Sequence, residues 1–496
     1  MPLVLAVVFM LSPSARAAAP ATPADAAAQK ATALNRSGSE KYNKGDLDGA
    51  IAEYDRAIQF DPSLAKAFYN RGLAKYDKGD TTGAIADYTE AIRLNPKYED
   101  AYVNRALAKE QSDDTDGAIA DNTEAIRLDP HDPYAYNNRG WTHYRKDELD
   151  AAIADYNEAI KLSPLMAQPY NDRGVALREK GKLDLAMTDY TKAIQLDPEN
   201  DQAYYNRAIA NDDKGQSAAA IADYDQAIRI NPTYSKAFLH RGELKAESGD
   251  LDGALADFNV AIKLNPRSPA LNSRGLVWFH KGYPTLARAD YDLALAVNPR
   301  NASALNNRGN VRKSQGDLDG ALADYNLALE INPKFTAAYN NRGVTFELKS
   351  DFAGAMADYE KALKLDGKNV ETLGNLSSLA VAKGEYEVAI QMADRALAID
   401  SQLAQAYNNR GVAHFHQKQI DAALADYDHA LQIDPNDEHA YNNRGLALQA
   451  KGDLDGAMAD YNLAIQIDPR FEQAQRNRTW AKWAQGDFLG LLSDLW

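Results

Sequence analysis

At 496 residues the chain is too long for one ordinary compact core, so it holds either several domains or an array of repeats. A hydrophobic fraction of 45% with 25% charged residues is globular composition, and a formal charge of -16 disfavours nucleic acid, whose phosphates require clustered Lys and Arg. The absence of cysteine excludes disulfides, thiolate metal sites and a cysteine nucleophile.

The chain opens on a short apolar run, Leu3 to Leu11 (LVLAVVFML), followed by Ser14-Ala15-Arg16-Ala17-Ala18-Ala19. Nine apolar residues are too few to cross a bilayer as a helix, and the alternating small residues suit cleavage after Ala17 or Ala19. Residues 1–19 therefore read as a secretory signal peptide, with the periplasm as the expected destination and no stable membrane span. No Lys or Arg precedes the run, which departs from the usual basic start of such signals. Residues 20–30, rich in Ala, Pro and Thr, read as a flexible leader.

Beyond the leader the chain is periodic. Prolines recur at Pro62, Pro96, Pro130, Pro164, Pro198, Pro232 and Pro266, each 34 residues after the last, then at Pro299, Pro333, Pro435 and Pro469. Gly367 and Ser401, both tolerable in turns, stand where the register calls for proline. Within Ala65 to Tyr98 the apolar residues fall at helical spacing in two blocks separated by Lys78-Gly79-Asp80, so each unit is two helices. Asp80, like Asp46, Asp250, Asp317 and Asp453, follows a turn glycine and is placed to cap the second helix. That helix must stop before the proline, as at Asn95-Pro96 and Asp129-Pro130.

Phe68, Gly72, Ala84, Tyr88, Ala91 and Pro96 resemble the signature of the tetratricopeptide repeat at their expected positions. The resemblance covers residues 31–496, as thirteen full units beginning at 31, 65, 99, 133, 167, 201, 235, 268, 302, 336, 370, 404 and 438, with a shortened one at 472–496. It implies an all-α fold, an α-solenoid in which stacked helix pairs form a right-handed superhelix. Gly72 and Ala84 are small where helices cross closely, Phe68 and Tyr88 fill the space beside them, and each unit buries its face only by stacking on neighbours.

The units serve as their own alignment. The seventh residue is Arg in twelve units (Arg71, Arg105, Arg139, Arg173, Arg207, Arg241, Arg274, Arg308, Arg342, Arg410, Arg444 and Arg478), and the twenty-third is Asp in the same twelve, Asp494 among them. In the eleventh unit both charges vanish together, leaving Leu376 and Met392. The pairing predicts a partly buried structural salt bridge rather than a row of arginines awaiting an anionic ligand.

The sixth residue is Asn in ten units: Asn70, Asn104, Asn138, Asn206, Asn307, Asn341, Asn375, Asn409, Asn443 and Asn477. The fifth adds Asn137, Asn171, Asn272, Asn306, Asn340, Asn408 and Asn442. Asn gains nothing in mid-helix, so the row asks for a reason outside propensity. Positions two, five, six and nine share one face of the first helix, away from the core. In tetratricopeptide-repeat proteins that face lines the concave side, and the row is similar to the asparagine ladder in the repeat region of O-linked N-acetylglucosamine transferases. The resemblance implies a groove that grips an extended peptide backbone, since an amide offers one acceptor and two donors whatever the neighbouring side chain. For any single Asn the alternative is a bond to a neighbouring helix or to water; for the row as a whole, binding is the reading adopted.

Two departures interrupt the array. One residue is missing between Pro266 and Arg274, with His240, Ser273 and Asp172 standing in the Asn row; this is a plain loop deletion or a division of the groove into two runs. The end of the chain, with Trp480, Trp483, Leu489, Leu491, Leu492, Leu495 and Trp496, is apolar for a terminal unit and either folds back or docks.

No phosphate-binding glycine loop, nucleophile elbow or paired-histidine zinc motif occurs, and His414 and His416 point to different faces. No transferase domain follows the repeats. The expectation is a non-enzyme without cofactor or metal: a scaffold or adaptor for other proteins or extended peptides in the bacterial cell envelope. The alternative is a non-catalytic subunit presenting substrates to an envelope enzyme or to a secretion or assembly complex.

Overall fold

A computed structural model describes residues 23–485; among them stand twenty-seven α-helices and no strand. The fold is an all-α solenoid of helix hairpins, and the chain divides into two compact units, Met1–Ala237 and Phe238–Trp496. None of the described helices is long and apolar enough to cross a membrane.

The repeat from Ala65 shows how local chemistry makes the hairpin. Its helices are Ala65–Asp77 and Thr81–Leu94. Gly79 adopts a φ of +88°, closed to most side chains, and reverses the chain. Asp80 then accepts a hydrogen bond from the Gly83 amide at 2.9 Å, the cap expected from the sequence. Asp46, Asp250, Asp317 and Asp453 cap in the same way. The second helix stops at Leu94 because Asn95, before Pro96, is extended. Asp366 and Asp400 are extended too, so Gly367 and Ser401 preserve the stop without the ring.

Packing follows from small residues at the crossing. Ala67, Ala74, Ala84 and Ala91 are completely buried, and Ala84 and Ala108 pack with the Tyr88 ring, whose removal from water contributes about 2 kcal/mol. A Cβ on Gly72 would lie 2.7 Å from that ring, so glycine at the eighth position makes room for the ring at the twenty-fourth, although the repeat from Asp201 places Ala208 opposite Tyr224. Where the ring is replaced by Asn122 or Ala393, the eighth residue becomes Ala106 or Ser377.

The expected ion pairs are present. Arg71 Nε and Nη2 donate to the two Asp87 oxygens at 2.8 and 2.6 Å, while Nη1 reaches Asp55 of the preceding repeat at 2.6 Å. The same fork stands at Arg105, Arg139, Arg173 and Arg207 in the first unit. In the second it stands at Arg241, Arg274, Arg308, Arg342, Arg410 and Arg444. In the eleventh repeat Leu376 and Met392 pack in one apolar cluster with Leu373, Leu379 and Tyr359. Asp494, the expected partner of Arg478, lies outside the described residues.

Three sequence expectations change or stay open. Residues 23–30, expected as leader, are helical and continue into the first repeat as Pro23–Asn43, because four alanines among them favour helix and Asp25 suits its first turn. The deletion before Arg274 shortens Ala270–His280 to 11 residues; the buried Ser268 hydroxyl accepts from the Ala270 amide at 3.2 Å, and Arg274 still meets Asp290 at 2.6 Å. The apolar run Leu3–Leu11, the cleavage positions Ala17 and Ala19, and tail residues Leu489, Leu491, Leu492, Leu495 and Trp496 lie outside the described residues.

The eleventh repeat predicts what the ion pair can be exchanged for. Asp358→Ala strands the Arg342 guanidinium and should cost about 3 kcal/mol, whereas the double change Arg342→Leu with Asp358→Met should nearly retain the parental urea midpoint. A double variant as unstable as the single one would show that the fork is indispensable.

Candidate functional site

The first helices of consecutive repeats touch within each unit, and their sixth positions meet the fifth positions of the repeat before. In the first unit the Asn70 amide nitrogen donates to Asn35 Oδ1 at 3.0 Å, and Asn206 to Asn171 at 2.9 Å. In the second, Asn307 donates to Asn272 at 3.2 Å, Asn341 to Asn306 at 3.0 Å and Asn375 to Asn340 at 3.0 Å. Asn443 and Asn477 continue the pattern with Asn408 at 3.1 Å and Asn442 at 2.8 Å. Each such bond contributes on the order of 1 kcal/mol and ties two repeats at fixed register.

The row therefore has two layers. Asn306, Asn340 and Asn442 are buried and act as pegs inside the array, while Asn408 is partly exposed. The sixth-position amides remain partly exposed except Asn409, which sits at the edge of burial and bonds Ser378 Oγ at 2.8 Å. A carboxamide has two N–H donors and an acceptor oxygen, so one ladder bond does not exhaust it. On Asn341 and Asn375 the second N–H and Oδ1 have no partner among the described residues. Asn104 uses Tyr69 Oη at 3.1 Å and the Asp100 carbonyl at 2.8 Å.

One helical turn on, the ninth positions run beside the amides: Leu73, Leu107, Trp141, Val175 and Ile209 in the first unit, and Leu276, Val344, Val412, Leu446 and Trp480 in the second. All are partly or well exposed. A third row, at positions twelve and thirteen, again links residues 35 apart: Tyr42 to Asp77, Tyr144 to Glu179, and Arg178 to Asp213 at 2.6 Å. Burial and Asp77 push the Tyr42 hydroxyl up to about 12. Two pockets open on this face. One of about 640 Å³ is lined by Asn104 and Asn138 among others, and one of about 340 Å³ by Val344, Tyr359 and Asn375.

Comparison with known proteins agrees with the geometry. Tetratricopeptide-repeat models match residues 133–164, 202–234, 302–335, 404–437 and 439–471, as well as 239–296 and 336–369, and a TPR-repeat model matches 38–79, 72–113 and 174–211. This chain belongs to the tetratricopeptide-repeat family. No curated protein sequence matches it. Among solved structures, the tetratricopeptide array is similar to the APC/C hetero-tetramer Cut9-Hcn1 at 16% identity over 92% of this chain and 98% of that one, with a TM-score of 0.54. It is also similar to yeast Tom70, at 17% identity over 92% of this chain and 96% of that one with a TM-score of 0.35. YrrB, described as a TPR protein with an unusual peptide-binding site, is 25% identical over 38% of this chain and 96% of that one, with a TM-score of 0.32.

What sequence comparison within one tetratricopeptide repeat missed is the coupling between repeats. In every case where the fifth residue is Asn, the sixth residue of the next repeat, 35 positions on, is Asn or Asp. Asp172 is the one acid in that set. It is buried, accepts from Gln168 at 2.8 Å, Asn171 at 3.2 Å and Asn137 at 3.3 Å, and forms no ion pair among the described residues. Burial raises its carboxyl from 3.8 to about 6, with the three amides opposing the rise. Meanwhile Asn137 Oδ1 is buried without a hydrogen bond.

Because the folded state holds the Asp172 proton more tightly than the unfolded chain, the native array loses stability as pH rises from about 4 through 6. Asp172→Asn removes that charge and supplies a donor to Asn137. The variant should melt higher than the parent at about pH 8 and lose that advantage near pH 4, read by thermal unfolding at the two pH values. Equal melting at the higher pH would contradict the assignment.

Proposed function

We propose that this tetratricopeptide-repeat protein is a non-catalytic scaffold or adaptor that holds extended segments of other proteins along the first-helix face of its array. The observation that carries the reading is the two-layered amide row. Inner asparagines hold outer ones in several successive repeats, and outer amides such as Asn341 and Asn375 keep a donor and an acceptor without a partner among the described residues. A peptide backbone also carries one donor and one acceptor per residue, so an extended segment can be held with little regard to its sequence. The apolar ninth positions beside the row supply a non-directional contact for its side chains.

The setting we propose is the cell envelope, reached by export; the apolar run Leu3–Leu11 and the small residues through Ala19 support it. Export is tested separately by N-terminal sequencing of the protein from fractionated cells, which should begin after Ala17 or Ala19. An intact Met1 on protein in the cytoplasmic fraction would contradict it.

Binding is tested by capture of partners from an envelope extract on the full array, beside a variant with Ala at Asn307, Asn341, Asn409 and Asn443. Circular dichroism and melting verify that the variant is folded, since each change also removes an inter-repeat bond. Partners retained by the parent should be lost by the variant. Capture of the same set by both would make the amide row purely structural.

A further inference from the structure

One stretch of the amide row differs in chemistry from the rest. Val103 occupies the fifth position of its repeat, where asparagine would otherwise receive the next amide. The carboxamide of Asn138 therefore has no hydrogen-bond partner among the described residues. It lines the pocket of about 640 Å³ together with Asn104, the apolar Val103 and Leu107, and the carboxylates of Glu99, Asp100, Asp129 and Asp132.

These acids come from two places. Glu99 and Asp100 form the first turn of the helix Glu99–Gln111, while Asp129 and Asp132 flank the turn into the helix Pro133–Arg145. Among the described residues no Lys or Arg forms an ion pair with any of the four; the imidazole of His131 has its Nδ1 3.9 Å from Asp129. This is unlike the aspartates at the twenty-third position, such as Asp87, Asp121 and Asp155, which are held by arginine forks. Glu99 shows the cost. Its Oε1 is buried without a hydrogen bond, and burial, then the charge of Asp132 and a hydrogen bond to it, then the charges of Asp100 and Asp129 push its carboxyl up to about 7.

Such a site is relieved by a cation that enters from outside. Among the described residues no three acidic or histidine side chains converge closely enough to hold a metal ion. The lining fits an organic cation better: Val103 and Leu107 offer apolar surface to a methylene stem, the carboxylates offer charge-assisted acceptors to its head, and Asn104 and Asn138 present amides to the backbone on either side.

We propose that this pocket takes a lysine or arginine side chain of the extended segment lying on the amide row, so that the first unit selects partner segments carrying a basic residue at that point. The inference rests on the peptide-holding reading above and adds selectivity to it. In that arrangement the outer amides grip backbone where the row is asparagine, and the Glu99–Asp132 pocket sets the register in which a segment binds.

The test is selection of a phage-displayed library of random twelve-residue peptides on the full chain, in parallel with the isosteric variant Glu99→Gln with Asp100→Asn. The enriched peptide is then synthesised with its lysine or with norleucine in its place, and affinities are read by fluorescence anisotropy. The proposal expects enrichment of Lys or Arg at one fixed position rather than throughout the peptide, as net charge alone would give. It expects about tenfold weaker binding from either change, to the pocket or to the peptide, and little further loss when both are made. Peptides selected without a fixed basic position, or a lysine peptide bound equally by parent and variant, would overturn the pocket assignment while leaving the peptide-holding reading intact. No peptide retained by the parent would overturn both.

Discussion

A guanidinium at the seventh position of a repeat grips the two oxygens of an aspartate on its own second helix and, with its remaining nitrogen, the repeat before it. Arg71 does this with Asp87 and Asp55, Arg308 with Asp324 and Asp292, and Arg444 with Asp460 and Asp428. The planar fork allows one geometry where a lysine would allow many. It closes the hairpin and sets the angle at which the next one stacks. Rings at the fourth position, such as Phe68 and Tyr102, lie 5.4 and 5.6 Å from their guanidiniums and narrow that geometry further. Since the sixth position adjoins the seventh, whatever fixes the arginine also fixes the direction of the asparagine beside it.

The eleventh repeat shows how far that constraint can be relaxed within one chain. Leu376 and Met392 replace the ion pair, Ser377 and Ala393 replace the glycine and the ring, and Gly367 and Ser401 replace both prolines. Even so its helices, Val370–Lys383 and Tyr386–Ile399, stand in place, and Asn375 donates to Asn340 as its counterparts do. Burying apolar surface suffices for stacking, while the ladder bond between first helices persists. The residues that vary together are those that touch, and the outward amide survives when they change.

Much of this was legible in the sequence because contacts inside a repeat recur at fixed positions within it. The Arg and Asp of the fork disappear together, and a turn glycine followed by aspartate marks caps such as those at Asp46 and Asp80, so hairpin, cap and ion pair follow from one repeat compared with the next. The contacts between neighbouring first helices are legible only at a spacing of 35, one beyond the period, which is why Asn70 with Asn35 and Tyr42 with Asp77 escape a comparison made position by position. The pocket at Glu99 and Asp132 escapes for a further reason: its carboxylates stand at the two ends of one repeat, and each pair taken alone is an ordinary helix start. The helix over residues 23–30 is hard to see in composition, because proline and threonine stand beside its four alanines.

The account stands on the claim that the amide-bearing face, and no other, meets partner protein. A photo-activated cross-linking amino acid placed singly at Leu107, Trp141, Val344 and Leu446 on the first helices, and at the exposed Leu185, Leu293, Leu327 and Leu463 on the second, tests it in the living cell. The account predicts partner adducts from the first set and none from the second. Adducts confined to the second set would contradict it and place recognition on the outer helices.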